Sequence, residues 1–166
     1  MPLTAVSTPH AATVRHFGHM NTGVPDITAG FDVTFARTTE RGGPVTAPDR
    51  TLPAQMRRLA RVQLRLWGLA ELIETVDVLV SELVTNGVRH GHGTALATRL
   101  WRTRGHVWIS VTGGPGARHG AGRTRVAGPG DEGGRGLLLV GALSDGWGVS
   151  ADGACTWCVL VVPTGR

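Results

Sequence analysis

Val80-Ser81-Glu82-Leu83-Val84-Thr85-Asn86-Gly87-Val88-Arg89-His90 is the stretch that decides the fold. Val76, Leu79, Val80, Leu83 and Val84 recur at helical spacing and predict one apolar face. Glu82, Asn86 and His90 stand four residues apart, so a helix stacks them on a single polar stripe. A carboxylate can accept a proton, and an Asn carbonyl oxygen can ligate a hard cation such as Mg2+. The same spacing also describes an ordinary solvated stripe on an amphipathic helix. The rest of the chain has to decide between the two.

Working outward, the helix is expected over 71–89, with Gly91 and Gly93 ending it. Before it, 52–67 reads as a second helix, with Met56, Leu59, Val62 and Leu66 as its apolar face and Gly68 as its stop. Arg57, Arg58, Arg61 and Arg65 form its other face, which fits solvent, a protein partner or nucleic acid. Earlier still, 31–36 alternates as a first, edge-type strand, and 37–50 reads as a loop. Residues 1–28 lack periodicity and read as a flexible tail, leaving 29–166 as a single domain.

After the central helix, 94–102 and 106–111 read as a hairpin, with Ala95, Ala97 and Leu100, then Val107, Ile109 and Val111, as buried positions. Residues 113–134 are rich in glycine and too long for an idle connection, and have the character of a lid. Gly134-Arg135-Gly136 then opens a short apolar helix over 137–143. A glycine-rich loop entering a helix presents free amides and the positive end of the dipole, which seats phosphate. Two strands, 147–150 and 155–162, close the chain.

Composition narrows the chemistry. The 166 residues suffice for one core, and 41% hydrophobic content is ordinary for a globular protein. The chain carries 17 basic and 12 acidic residues, formally +5, and every basic one is Arg. Without Lys, a Walker A loop, a eukaryotic-type protein kinase site and Schiff-base chemistry are disfavoured or excluded. No apolar run reaches membrane-spanning length and no secretory leader is evident, so the expected location is the cytoplasm. Cys155 and Cys158 lie three apart on an expected strand and so point to opposite faces, which argues for plain thiols over a redox or zinc pair.

A Glu/Asn helix, a hairpin, a glycine-rich lid ending in G-R-G and two final strands follow one another in this order. Over about 31–162 the chain resembles the GHKL ATPase superfamily of gyrase, MutL and histidine kinase ATP-binding domains. Within it, the resemblance is to small bacterial anti-sigma-factor serine kinases. It rests most specifically on residues 81–90, then on Gly134-Arg135-Gly136-Leu137 and Trp147-Gly148-Val149. The resemblance implies an α/β two-layer sandwich, with a mixed, mainly antiparallel sheet and helices on one face. It implies ATP and Mg2+ as ligands, Glu82 as catalytic base and Asn86 as the Mg2+ ligand. Gly134, Arg135 and Gly136 match the second glycine box at the phosphates. Gly113, Gly114 and Gly116 match the first box, and Thr156, or Cys155 in a shifted register, falls near the adenine. His90 recurs at this place without an assigned role. Implied partners are an anti-sigma antagonist protein, a sigma factor, or both, with homodimerisation common. The departure is at the first box, where Gly113 stands in place of the Asp that reads adenine. Two readings follow from the resemblance: an anti-sigma-factor kinase, or a non-catalytic regulator of the same shape with degenerate nucleotide binding. Nucleic-acid binding through Arg57–Arg65 is a third, disfavoured reading.

Overall fold

The computed structural model describes residues 12–18, 28–40, 42–113, 135–150 and 153–163. The elements run β1 (Ala12–Gly18), β2 (Ala29–Ala36), α1 (Leu52–Leu66), α2 (Ile73–His90), β3 (Ala95–Arg102), β4 (His106–Thr112), α3 (Arg135–Leu143), β5 (Gly146–Val149) and β6 (Cys155–Val161). The strands form one six-stranded sheet in the order β1-β2-β3-β4-β6-β5. Every described pairing is antiparallel, so the expected mixed character is absent among the described residues.

Register explains the two layers. Phe31 faces Leu100, Leu100 faces Ile109, and Ile109 faces Cys158 across four strands, and all are buried. Side chains alternate along a strand, so this row and its i±2 neighbours form one apolar face. Helix α2 lies on it, against β4, β3 and β6, and is flanked by α1 and α3. Val76, Leu79, Val80, Leu83, Val84 and Val88 of α2 are all buried in the same core. Their expected stripe is therefore the one that packs.

Four expectations shift. Ala12–Gly18, placed in the flexible tail, is strand β1, and pairs with β2 along its length. Hence β2 is an interior strand and β1 is the edge. Helix α1 buries Leu52, Met56, Ala60 and Leu64, a strict four-residue stripe, while Val62 and Leu66 are exposed. In β3 the inner positions are Leu96, Thr98 and Leu100, and Ala97 faces outward. Small residues such as Ala carry little burial signal, so a neighbouring Leu set the register instead. The expected stop at Gly68 holds: its φ of 70° is the left-handed conformation that ends helices.

Candidate nucleotide site

The site begins with how closely α2 approaches the sheet. At Gly87 an added Cβ would lie 2.6 Å from Leu96 Cδ1 and 2.9 Å from Val111 Cγ1. Only glycine allows this approach, and it sets the neighbouring Asn86 at the mouth between helix and sheet. One hollow there is lined by Asn86, Gly87, His90, Val111, Gly113 and Thr156, among others. A second, adjoining hollow is lined by Glu82, Thr85, Asn86, Arg89, His90, Gly136 and Leu137. Asn86 and His90 line both, so the two form one cleft running from Thr156 on β6 to the start of α3. The polar stripe of Glu82, Asn86 and His90 read from the sequence thus lines a cleft.

At its far end, α3 begins beside Glu82. A Cβ on Gly136 would stand 2.4 Å from Glu82 Oε2. The carboxylate therefore lies against the first turn of α3, where the helix dipole and unpaired amides favour negative charge. This is a cradle that a side chain would fill, and it suits a phosphate group as well as a carboxylate.

The near end is shaped by backbone packing. Gly113 N donates to Ala154 O at 3.1 Å, and Gly113 O accepts from His92 N and Gly93 N, each at 2.9 Å. A Cβ on Gly113 would meet Gly91 Cα at 2.8 Å. The absent Asp is thus more than a substitution: the Gly91 backbone occupies the space its side chain would take. Thr156 is buried on β6, one strand over from Val111. Cys155 faces outward and Cys158 lies in the core. Burial pushes the Cys158 thiol up to about 12, so it stays protonated and packs as a small hydrophobe.

Two positioning elements carried no sequence signal. Arg37, buried, donates from Nε to Gly93 O at 2.8 Å and from Nη1 to Val88 O at 2.9 Å. It satisfies a carbonyl in the last turn of α2 and ties down the Gly91–Gly93 turn that packs on Gly113. Asp49, also fully buried, accepts from Thr38 N and Thr39 N at 3.1 and 2.7 Å and holds the loop that follows Arg37. Both lie in a stretch read only as loop.

The structure therefore gathers Glu82, Asn86, Gly113, Gly136 and Thr156 along one cleft, with His90 between its two parts. Arg135 opens α3. Gly114, Gly116, Gly134 and the remainder of the expected lid lie outside the described residues. On α1, Arg57 donates to Ser81 Oγ at 2.7 Å and Arg61 pairs with Asp77, so two of its four arginines engage α2. No described helix is long and apolar enough to cross a membrane.

An antiparallel sheet under α2, with a polar cleft between α2, β6 and the start of α3, defines an ATPase-type nucleotide-binding domain. The model of the histidine kinase-like ATPase domain matches residues 45–161, from the loop before α1 to the end of β6, and the chain belongs to that family. The search of curated proteins returned no match.

Proposed function

We propose that the protein is an ATP-dependent protein serine kinase that phosphorylates an anti-sigma antagonist and thereby regulates transcription. The observation that carries this reading is the cleft itself: Glu82 and Asn86 of α2 and Gly136 of α3 line one hollow, with the carboxylate at the start of α3. ATP, the ligand of the family, would lie with its base toward Thr156 and its phosphates toward α3, and the two hollows, about 10 and 30 Å³ as they stand, would have to widen to admit it. Asn86 would hold Mg2+, which supplies charge neutralisation at the phosphate oxygens. Glu82 accepts the proton of the attacking serine hydroxyl. That oxygen bonds to the γ-phosphorus as the bond to the bridging oxygen breaks, and ADP leaves. Arg89 at the cleft wall adds positive charge near the triphosphate. The test uses labelled ATP with a recombinant antagonist protein encoded by the same genome. Glu82→Gln is expected to abolish transfer of label while nucleotide still binds. Undiminished transfer by Glu82→Gln would sink the assignment of the base.

A second reading has one observation of its own. The close packing of Gly91 on Gly113 leaves no room at that point for a carboxylate that reads adenine. A buried hydrogen-bonding partner can be worth orders of magnitude in discrimination. This favours a regulator that binds its protein partner with weak or unspecific nucleotide dependence. Partner affinity that does not change with ATP, together with no phosphate transfer, would support it over the kinase.

A further inference from the structure

Beside the cleft, on its α1 side, is a third and roomier hollow of about 410 Å³. It lies between the loop before α1, the first turn of α1 at Pro53 and the last two turns of α2. Thr85 and Arg89 line it and also line the hollow that holds Glu82, so the two adjoin along one face of α2.

The lining is of two kinds. Val45, Pro53 and Val88 supply an apolar wall, with Val45 half-buried against the core. Arg50 and Arg89 supply two exposed cations. Neither guanidinium has a hydrogen-bond or carboxylate partner among the described residues. By contrast, Arg57 and Arg61 on α1 are engaged by Ser81 and Asp77 of α2. Asp49, the acid on the inner wall, is fully buried and accepts hydrogen bonds from Thr38 N and Thr39 N. The exposed rim is therefore basic. Covering an unpaired guanidinium with a partner costs desolvation unless a carboxylate meets it. An apolar wall beside two such cations suits a protein segment that carries an aliphatic and an acidic side chain.

Spacing along α2 sets where that acid falls. At about 1.5 Å of rise per residue, Thr85 lies about 4.5 Å and Arg89 about 10.5 Å along the helix from Glu82. An extended chain advances about 3.3 Å per residue, so a serine held at Glu82 brings its neighbours within about three positions over the hollow. Nucleotide and protein then approach Glu82 from opposite sides, the phosphates from α3 and the serine from α1.

We propose that the hollow of Arg50 and Arg89 docks the segment of the protein substrate that flanks the phosphorylated serine. An aliphatic residue packs on Val45 and Pro53, and an Asp or Glu within about three positions of the serine pairs with Arg50. The proposal rests on the kinase reading of the cleft and adds to it how the protein substrate is chosen. Arg89 borders both hollows, so Arg50 is the residue that separates docking from nucleotide binding.

Steady-state transfer of label from ATP to the recombinant antagonist protein tests it, with the accepting serine located by mass spectrometry. Arg50→Glu is expected to raise KM for the antagonist about tenfold, with kcat and KM for ATP unchanged. Replacing the antagonist's own acid beside that serine by Arg is expected to weaken its use by the wild type to the same extent and to restore KM in Arg50→Glu. A misfolded variant could not be restored by a change in its substrate. Transfer by Arg50→Glu with an unchanged KM for the antagonist would overturn the docking site and leave the kinase reading standing. So would an accepting serine with no Asp or Glu within about three positions. No transfer by the wild type would overturn the kinase reading and the docking site with it.

Discussion

Glu82 and Gly136 are held against each other: the carboxylate of α2 occupies the space where a side chain at the start of α3 would be. Alanine in place of glycine inside a helix normally adds about 0.5–1 kcal/mol of stability. Here the new methyl group must displace the end of Glu82, which is a movable side chain. Gly136→Ala is therefore expected to keep or slightly raise the melting temperature. It is expected to lower phosphate transfer on the order of a hundredfold, the scale of a mispositioned base. Calorimetric melting and a transfer assay on the same preparation check both parts. Unchanged transfer would show that this contact does not position the base.

Restoring an acid to the first glycine box is expected to fail. Gly113→Asp drives its Cβ to 2.8 Å from the Gly91 backbone, which cannot rotate away. The expected cost is roughly 1–3 kcal/mol of overpacking, read from denaturant midpoints, with no gain in ATP affinity. A sharp gain in affinity at undiminished stability would show that the turn yields and that the missing carboxylate alone limits binding.

Asp49 gives the fold an acid dependence. Burial by itself would raise its pKa, but hydrogen bonds from Thr39 and Thr38 outweigh that and hold it below the usual value. A lowered folded-state pKa means stabilisation that is fully present above the unfolded value of about 3.9 and lost as pH falls through the folded value. Denaturant midpoints are expected to be flat near neutrality and to drop below about pH 4. Asp49→Ala should lower stability at neutral pH and flatten that drop. A variant with the same acid slope as wild type would remove Asp49 as its source.

Arg37→Ala leaves the Val88 and Gly93 carbonyls without their charged donor. A loss of roughly 1.5–3 kcal/mol is expected from the hydrogen bonds to a charged group. Because these carbonyls anchor the turn against Gly113, hydrogen exchange at the His92 and Gly93 amides should accelerate more than exchange in β3. Uniform acceleration across the sheet would mean that Arg37 supports the fold generally and not this turn.

The central helix was legible because two signals coincided in it: an apolar stripe at helical spacing, and Glu82, Asn86 and His90 on the face beside it. That Gly136 and Thr156 belong with the α2 residues is legible only through the family resemblance, and the structure places them along the same cleft. What the sequence concealed depends on contacts between distant residues. Arg37 looks like any loop arginine until Val88 and Gly93, more than fifty positions away, are brought to it. Strand β1, Ala12-Thr13-Val14-Arg15-His16-Phe17-Gly18, carries few apolar residues, and it is its pairing with β2, a contact between separate segments, that shows it to be a strand. On α1 the sequence favours Val62 and Leu66 over Ala60 as core positions because they are larger and more apolar, yet Ala60 is buried and they are exposed. That Gly113 carries no acid is plain in the sequence, whereas the crowding by Gly91 that would oppose one is not, since the linear sequence does not bring Gly91 beside it.

The central claim is that the cleft between α2, β6 and α3 binds ATP with Mg2+ through Asn86. Calorimetric titration of the purified protein with ATP, with and without Mg2+, tests it most directly. Wild type is expected to bind in the micromolar range only with Mg2+ present, and Asn86→Ala to lose that Mg2+ dependence. No detectable heat at millimolar ATP with Mg2+ would contradict the account and leave a protein-binding regulator built on an ATPase fold.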